Sequence, residues 1–84
     1  MMESTLTPTE LDDVIRTNVR DRRKERGLTQ KALAEKLGKS AEFVCEIEKG
    51  RKRVNVPMVA ALAVALETQP STLLQPGAFS AVLA

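Results

Sequence analysis

Apolar residues recur at helical spacing along most of this chain. Leu11, Ile15 and Val19 stand four residues apart and form one stripe of a helix. Ahead of them, Thr7-Pro8-Thr9-Glu10 reads as a helix start. Thr7 can cap, Pro8 suits the first helical position, and Glu10 can reach back to complete a capping box. Gly27 supplies the left-handed residue that stops this helix. A second, short helix is predicted from Gln30 to Leu37, with Thr29 as its cap and Leu33, Ala34 and Leu37 facing inward; Gly38 ends it. A third follows at once, capped by Ser40, burying Val44 and Ile47 and stopping at Gly50. Asn55 caps a fourth, which tolerates Pro57 in its first turn and runs to about Leu66. Apolar almost all round, that helix is either central to the core or half covered by a partner. A last short helix starts at Pro70 and is expected to bury Leu73 and Leu74. The tail holding Phe79, Val82 and Leu83 takes no assigned structure, and the only strand-like alternation lies between Lys52 and Val56.

These elements predict an all-α fold, a compact five-helix bundle. One domain is expected over residues 1–84, with its core at about 8–74 and tails at 1–7 and 76–84. The second and third helices are the informative pair. Only Gly38-Lys39-Ser40 separates them, so they cannot lie antiparallel and both bury their apolar faces. They must cross at a large angle, as in a helix-turn-helix. Leu28, Leu33, Val44, Ile47, Leu62 and Leu66 are assigned to the core and carry no further role.

Charge adds what periodicity cannot. All 13 Lys and Arg lie between Arg16 and Arg53, where six acids leave a net charge of +7; the flanks hold five acids and no base. Such segregation points to a polyanionic partner. With no His and a single Cys45, the chain offers no internal disulfide and almost no ligands for zinc. No metal or cofactor is expected. A nucleophile with a base beside it and a phosphate loop are also missing, so no enzyme is expected. The longest uncharged stretch, from Thr68 onward, contains two Pro and several polar residues and is no membrane span. Residues 1–13 lack the bases and the apolar run of a signal peptide. The expected setting is cytoplasmic, at the bacterial or phage nucleoid.

Gly27-Leu28-Thr29-Gln30, Leu33-Ala34, Gly38, Ser40, Val44, Ile47-Glu48 and Gly50 stand at the spacings of the phage repressor and Cro (C1-type) helix-turn-helix DNA-binding family. Arg51-Lys52-Arg53-Val54-Asn55-Val56 resembles the arginine-rich connector of one branch of it. The resemblance covers about Ile15 to Leu74. Within it, Ala34 is small enough for the third helix to cross close above, and Gly38 suits a tight turn with positive φ. Both are structural positions.

The resemblance implies a DNA interface made of Gln30, Lys39, Ser40, Ala41, Glu42, Phe43, Cys45, Glu46, Lys49, Arg51, Lys52 and Arg53. Gln30 opens the second helix, where free N–H groups and the helix dipole favour a phosphate; the matching family residue contacts the backbone or a base edge. The N-terminal half of the third helix would enter the major groove. Here the sequence departs from the family, whose reading positions commonly hold Arg, Gln, Ser or Thr. This chain carries Glu42 and Glu46 and no base. A carboxylate can accept from the cytosine N4 amine, and Ala41 or Phe43 can lie against a thymine methyl. Cys45, often a Ser in the family, reads as a small polar or half-buried thiol. Lys49, Arg51, Lys52 and Arg53, with Lys39 and Lys31, would supply backbone affinity through counterion release, whereas Lys24 and Lys36 read as solvated. A Glu in the last turn of a helix is disfavoured by the dipole, so Glu48 needs a specific partner. In family members the matching residue pairs with the one at Arg23, an ion pair bridging the first and third helices, with a phosphate also within reach of Arg23.

The function expected is sequence-specific binding of double-stranded DNA by a homodimeric, repressor-like transcriptional regulator. A dimer multiplies phosphate contacts and reads a palindrome. The alternative is an antitoxin, with a toxin or other regulatory protein as partner, or a protein-interaction adaptor on the same fold. The acidic third helix and apolar fourth helix favour the adaptor, and the basic connector and Gln30 oppose it.

Overall fold

Side chains that satisfy the free N–H groups of a first turn decide where each main helix begins. A computed structural model describes residues 6–79 of the chain. It contains α1 (Pro8–Glu25), α2 (Gln30–Leu37), α3 (Ala41–Glu48), α4 (Val56–Ala65) and α5 (Pro70–Leu73), with no strand among the described residues. Thr7 and Glu10 complete the capping box, Glu10 N donating to Thr7 Oγ1 at 3.1 Å and Thr7 N to Glu10 Oε1 at 2.9 Å. Thr29, Ser40 and Asn55 accept from Ala32, Phe43 and Met58 N–H groups in the same way. All four caps are the predicted ones. The Lys52–Val56 alternation forms no strand and serves as the connector into α4.

Helix ends are equally local. Gly27 and Gly38 adopt the expected positive φ, and Gly50, where the third helix was expected to stop, does so too. At α3, Gly50 N donates to Ile47 O and Arg51 N to Glu46 O, the paired bonds that close a helix on a left-handed residue. At Gly50 a Cβ would also lie 3.3 Å from the Arg16 side chain, a tight contact that Arg16 would have to shift to relieve. α4 ends by the same bonding pattern, Glu67 N to Val64 O and Thr68 N to Ala63 O, but on Glu67 at φ +56°.

Between these ends the apolar stripes meet. Val19, Leu33, Ala34, Val44, Leu62, Leu66 and Leu73 are fully buried, with Ile15, Ile47 and Phe79 nearly so. α1 packs on α3 and α5, α2 on α3 and α4, and α4 on α5. The core differs from expectation at its C-terminal side. Leu74 was expected inside, but one face of the single-turn α5 is all that the core can take, and it takes Leu73; Leu74 is 40% exposed. Phe79, given no role from sequence, closes the core under Arg22, whose guanidinium carbon lies 5.4 Å from its ring centroid. Val82 and Leu83 lie outside the described residues.

Two polar side chains on α1 fasten the segment 66–75. Asn18 is buried and donates through Nδ2 to Leu73 O and Gln75 O, both at 2.8 Å. Arg22 donates to Leu66 O and Glu67 O at 2.9 Å, satisfying the carbonyl end of α4.

Candidate nucleic-acid interface

The surface in question is built on α3, so its first determinant is what holds α3 in place. Glu48, in the last turn, is buried and accepts two bonds from Arg23, Nε to Oε2 at 2.7 Å and Nη2 to Oε1 at 3.0 Å. This is a bidentate pair with the strength and directionality of charge-assisted bonding. Arg23 Nη1 donates to Leu28 O at 2.8 Å, so three of its five N–H donors are engaged inside the protein. Gln30 Nε2 donates to Glu48 Oε1 at 3.0 Å. A carboxylate cannot donate, so this bond fixes which way the Gln30 amide is turned. Arg16 Nη1 reaches Glu48 O at 3.4 Å. One carboxylate thus ties α1, the start of α2 and the end of α3 together.

The other residues named from the sequence lie along α3 and on its two flanks. Lys39 and Ser40 precede it, and both are exposed, as are Ala41 and Glu42. Phe43, Cys45 and Glu46 are half-buried, Cys45 as a free thiol. Lys49 caps the far end, and Arg51, Lys52 and Arg53 follow, all four exposed. The ammonium groups of Lys39 and Lys52 lie 5.2 and 5.4 Å from the Phe43 ring centroid. Arg53 Nε bonds Asp12 Oδ2 at 2.8 Å and tethers the connector to α1.

Ion pairing sorts the bases into two groups. Arg16, Arg20, Arg22, Arg23, Arg26 and Arg53 each have a carboxylate partner. The remaining seven have none among the described residues, and four of them (Lys39, Lys49, Arg51 and Lys52) bracket α3. Glu42 and Glu46 are likewise without an ion-pair partner among the described residues. The surface therefore has free carboxylates along its helix and free cations at both ends.

Sequence reasoning missed the Asp12–Arg53 tether, the carbonyl bonds of Arg22 and the role of Asn18. Only Asn18 left a signal: it stands three residues after Ile15, at a core position of α1, where a polar side chain must find buried partners.

Comparison with known proteins agrees with this geometry. The helix-turn-helix family model matches residues 19–73. An uncharacterized HTH-type transcriptional regulator of Methanothermobacter thermautotrophicus is 40% identical over 52 residues, 62% of this chain and 75% of its own length. Among solved structures, a hypothetical transcription factor, NHTF, from Neisseria superposes with a TM-score of 0.78 at 25% identity, over 100% of this chain and 98% of that one. The clp gene regulator ClgR of Corynebacterium glutamicum gives 0.75 at 30% identity, over 87% and 78% of the two chains. The family match runs from the middle of α1 through α5, taking in both motif helices and the core beneath them, and the chain belongs to the Cro/C1-type helix-turn-helix family of DNA-binding transcriptional regulators.

Proposed function

We propose that the protein binds specific double-stranded DNA sequences as a homodimer and acts as a repressor-like regulator without enzymatic activity. The observation that carries this reading is the placement of Lys39, Lys49, Arg51 and Lys52, free cations at both ends of α3, in a protein whose other site cation and all α1 arginines are already paired. Cations so placed neutralise phosphates on either side of a groove, and the helix between them reads the bases. Ser40, Ala41, Glu42, Cys45 and Glu46 form that reading stretch, with Phe43 standing among them. Gln30, turned by Glu48, presents its carbonyl and second N–H at the start of α2. Arg53 adds to the backbone contacts from its tether on Asp12.

The dimer is supported by the apolar residues left outside. Val56 and Val64 on α4 are 82% and 79% exposed, and Leu74 stands beside a recess lined by Leu11, Val54 and Val59. A second copy is the occupant this reading assigns to that face. Selection of bound duplexes from a random DNA pool, with sedimentation of the free protein, tests both parts. The expected result is a two-fold symmetric site and a dimeric particle; an unenriched pool contradicts sequence-specific binding. The same exposed valines favour a second reading, an antitoxin or adaptor whose α4 receives another protein. An adaptor is expected to show almost no salt-dependent affinity for DNA, whereas an antitoxin keeps it.

A further inference from the structure

Phe43 holds two cations from opposite ends of the reading helix. Lys39 belongs to the linker before α3 and Lys52 to the connector after it, yet both ammonium groups lie within 5.4 Å of one ring centroid. The free carboxylates of Glu42 and Glu46 are on the same helix, and neither lysine pairs with them. Lys52 shares one recess with Glu42, Phe43 and Glu46 and a second with Lys39, Phe43 and Met58. The backbone that carries the ring is anchored in the first turn of α3, Phe43 N–H donating to the Ser40 cap at 3.2 Å, and the residue is half-buried.

An aromatic face attracts a cation within about 6 Å, each exposed contact favouring the held arrangement by about two- to fivefold. An ammonium has three N–H donors, and resting on a ring leaves donors for a phosphate. A lysine already confined loses less rotamer freedom when it binds. Two like charges gathered at one ring also repel, and an anion between them relieves that repulsion.

We propose that Phe43 is a positioning residue for the backbone contacts, its ring holding Lys39 and Lys52 as a preformed pair of cations for phosphates beside α3. It acts through these lysines, and not by reading a thymine methyl. The inference rests on the reading of the chain as a duplex-binding module.

The test combines Phe43→Leu, Phe43→Tyr and the double variant Lys39→Met/Lys52→Met, with binding to several unrelated duplexes and proton NMR of the free proteins. Phe43→Leu is expected to weaken binding about three- to tenfold on every duplex alike, the product of two lost ring contacts in part. The Phe43→Tyr variant keeps the parental affinity, and Phe43→Leu has no further effect once both lysines are Met. In the free protein, the Hε protons of Lys39 and Lys52 are expected upfield in the parent and the Phe43→Tyr variant and at ordinary positions in Phe43→Leu. A penalty that persists without the lysines, or that follows one base pair, overturns the proposal. If the parent binds no duplex, the duplex-binding reading has failed by itself. The ring's hold on the lysines is then decided by NMR, and unshifted Hε protons in the parent overturn it.

Discussion

Glu42 and Glu67 each raise a question that the fold alone does not answer. Glu42 is an exposed, unpaired carboxylate in the first turn of α3. The helix dipole favours it there, whereas neighbouring phosphates would not. Its place on the proposed reading stretch is explained by a donor on the groove floor, and cytosine N4 is such a donor. Glu42→Ala is expected to relax preference at one base pair of each half-site, a loss of about 1 kcal/mol of discrimination. Glu42→Gln is expected to shift that preference toward adenine, which an amide can pair through two bonds. Selection from random duplexes reads both; unchanged selected sites in both variants remove Glu42 from the reading. Glu67 is the left-handed residue that closes α4, at φ +56°. That conformation costs a side chain about 1 kcal/mol or more, and the ion pair to Arg26 at 2.7 Å is exposed and returns little. Glu67→Gly is expected to raise stability by about 0.5–1 kcal/mol despite the added chain entropy. Thermal unfolding followed by circular dichroism checks this, with a lowered Tm as the contrary result.

Helix by helix, most of the fold is legible in the sequence because its boundaries are set locally. Thr7, Thr29, Ser40 and Asn55 each cap with a residue three positions on, and Gly27, Gly38 and Gly50 each close a helix within the same few residues. The apolar stripes of α1, α2 and α3 follow the same short period. What was not legible spans the chain. Asn18 bonds residues 55 and 57 positions away, Arg53 meets Asp12 across 41, and Phe79 enters the core from a turn with no periodic pattern around it. Leu74 stays outside the core because α5 ends at Leu73 and Leu74 is only its C-cap. For the candidate site, the residue positions could be read from the order of helices, but their pairing could not. Nothing in the spacing says that Gln30 bonds Glu48 or that two lysines share the Phe43 ring. The junction of α1 with α5 gives the prediction at this scale. Asn18→Ala leaves Leu73 O without its side-chain donor and Gln75 O with Ala78 N alone, and it also removes the buried Asn18 Oδ1, which has no partner, so the net cost is about 1–2 kcal/mol. Because these bonds lie remote from α3, its DNA affinity below the unfolding transition should be unchanged. Chemical denaturation and duplex binding measured on the same variant check the two halves, and an unchanged midpoint contradicts the first.

In the whole molecule, the distribution of charge matters more than its total. The sequence carries a net +2, yet six arginines are neutralised in place and Lys39, Lys49, Arg51 and Lys52 are left free around α3. The core beneath keeps that helix rigid through Val44, Ile47 and the Arg23–Glu48 pair, so the cations sit on a fixed frame and not on a loose tail. Exposed Val56 and Val64 lie on a different helix, which leaves the α3 surface free when a second copy covers α4. Affinity is therefore expected to be electrostatic first and sequence-dependent second, and binding to a random-sequence duplex between about 50 and 200 mM salt checks it. Each phosphate neutralised adds about 0.9 to the log–log slope, so four cations give about −3 to −4 per protomer. Arg51→Ala and Lys52→Ala should each make the slope shallower by about 0.9, equally on every duplex. A slope near zero in the parent would contradict the account.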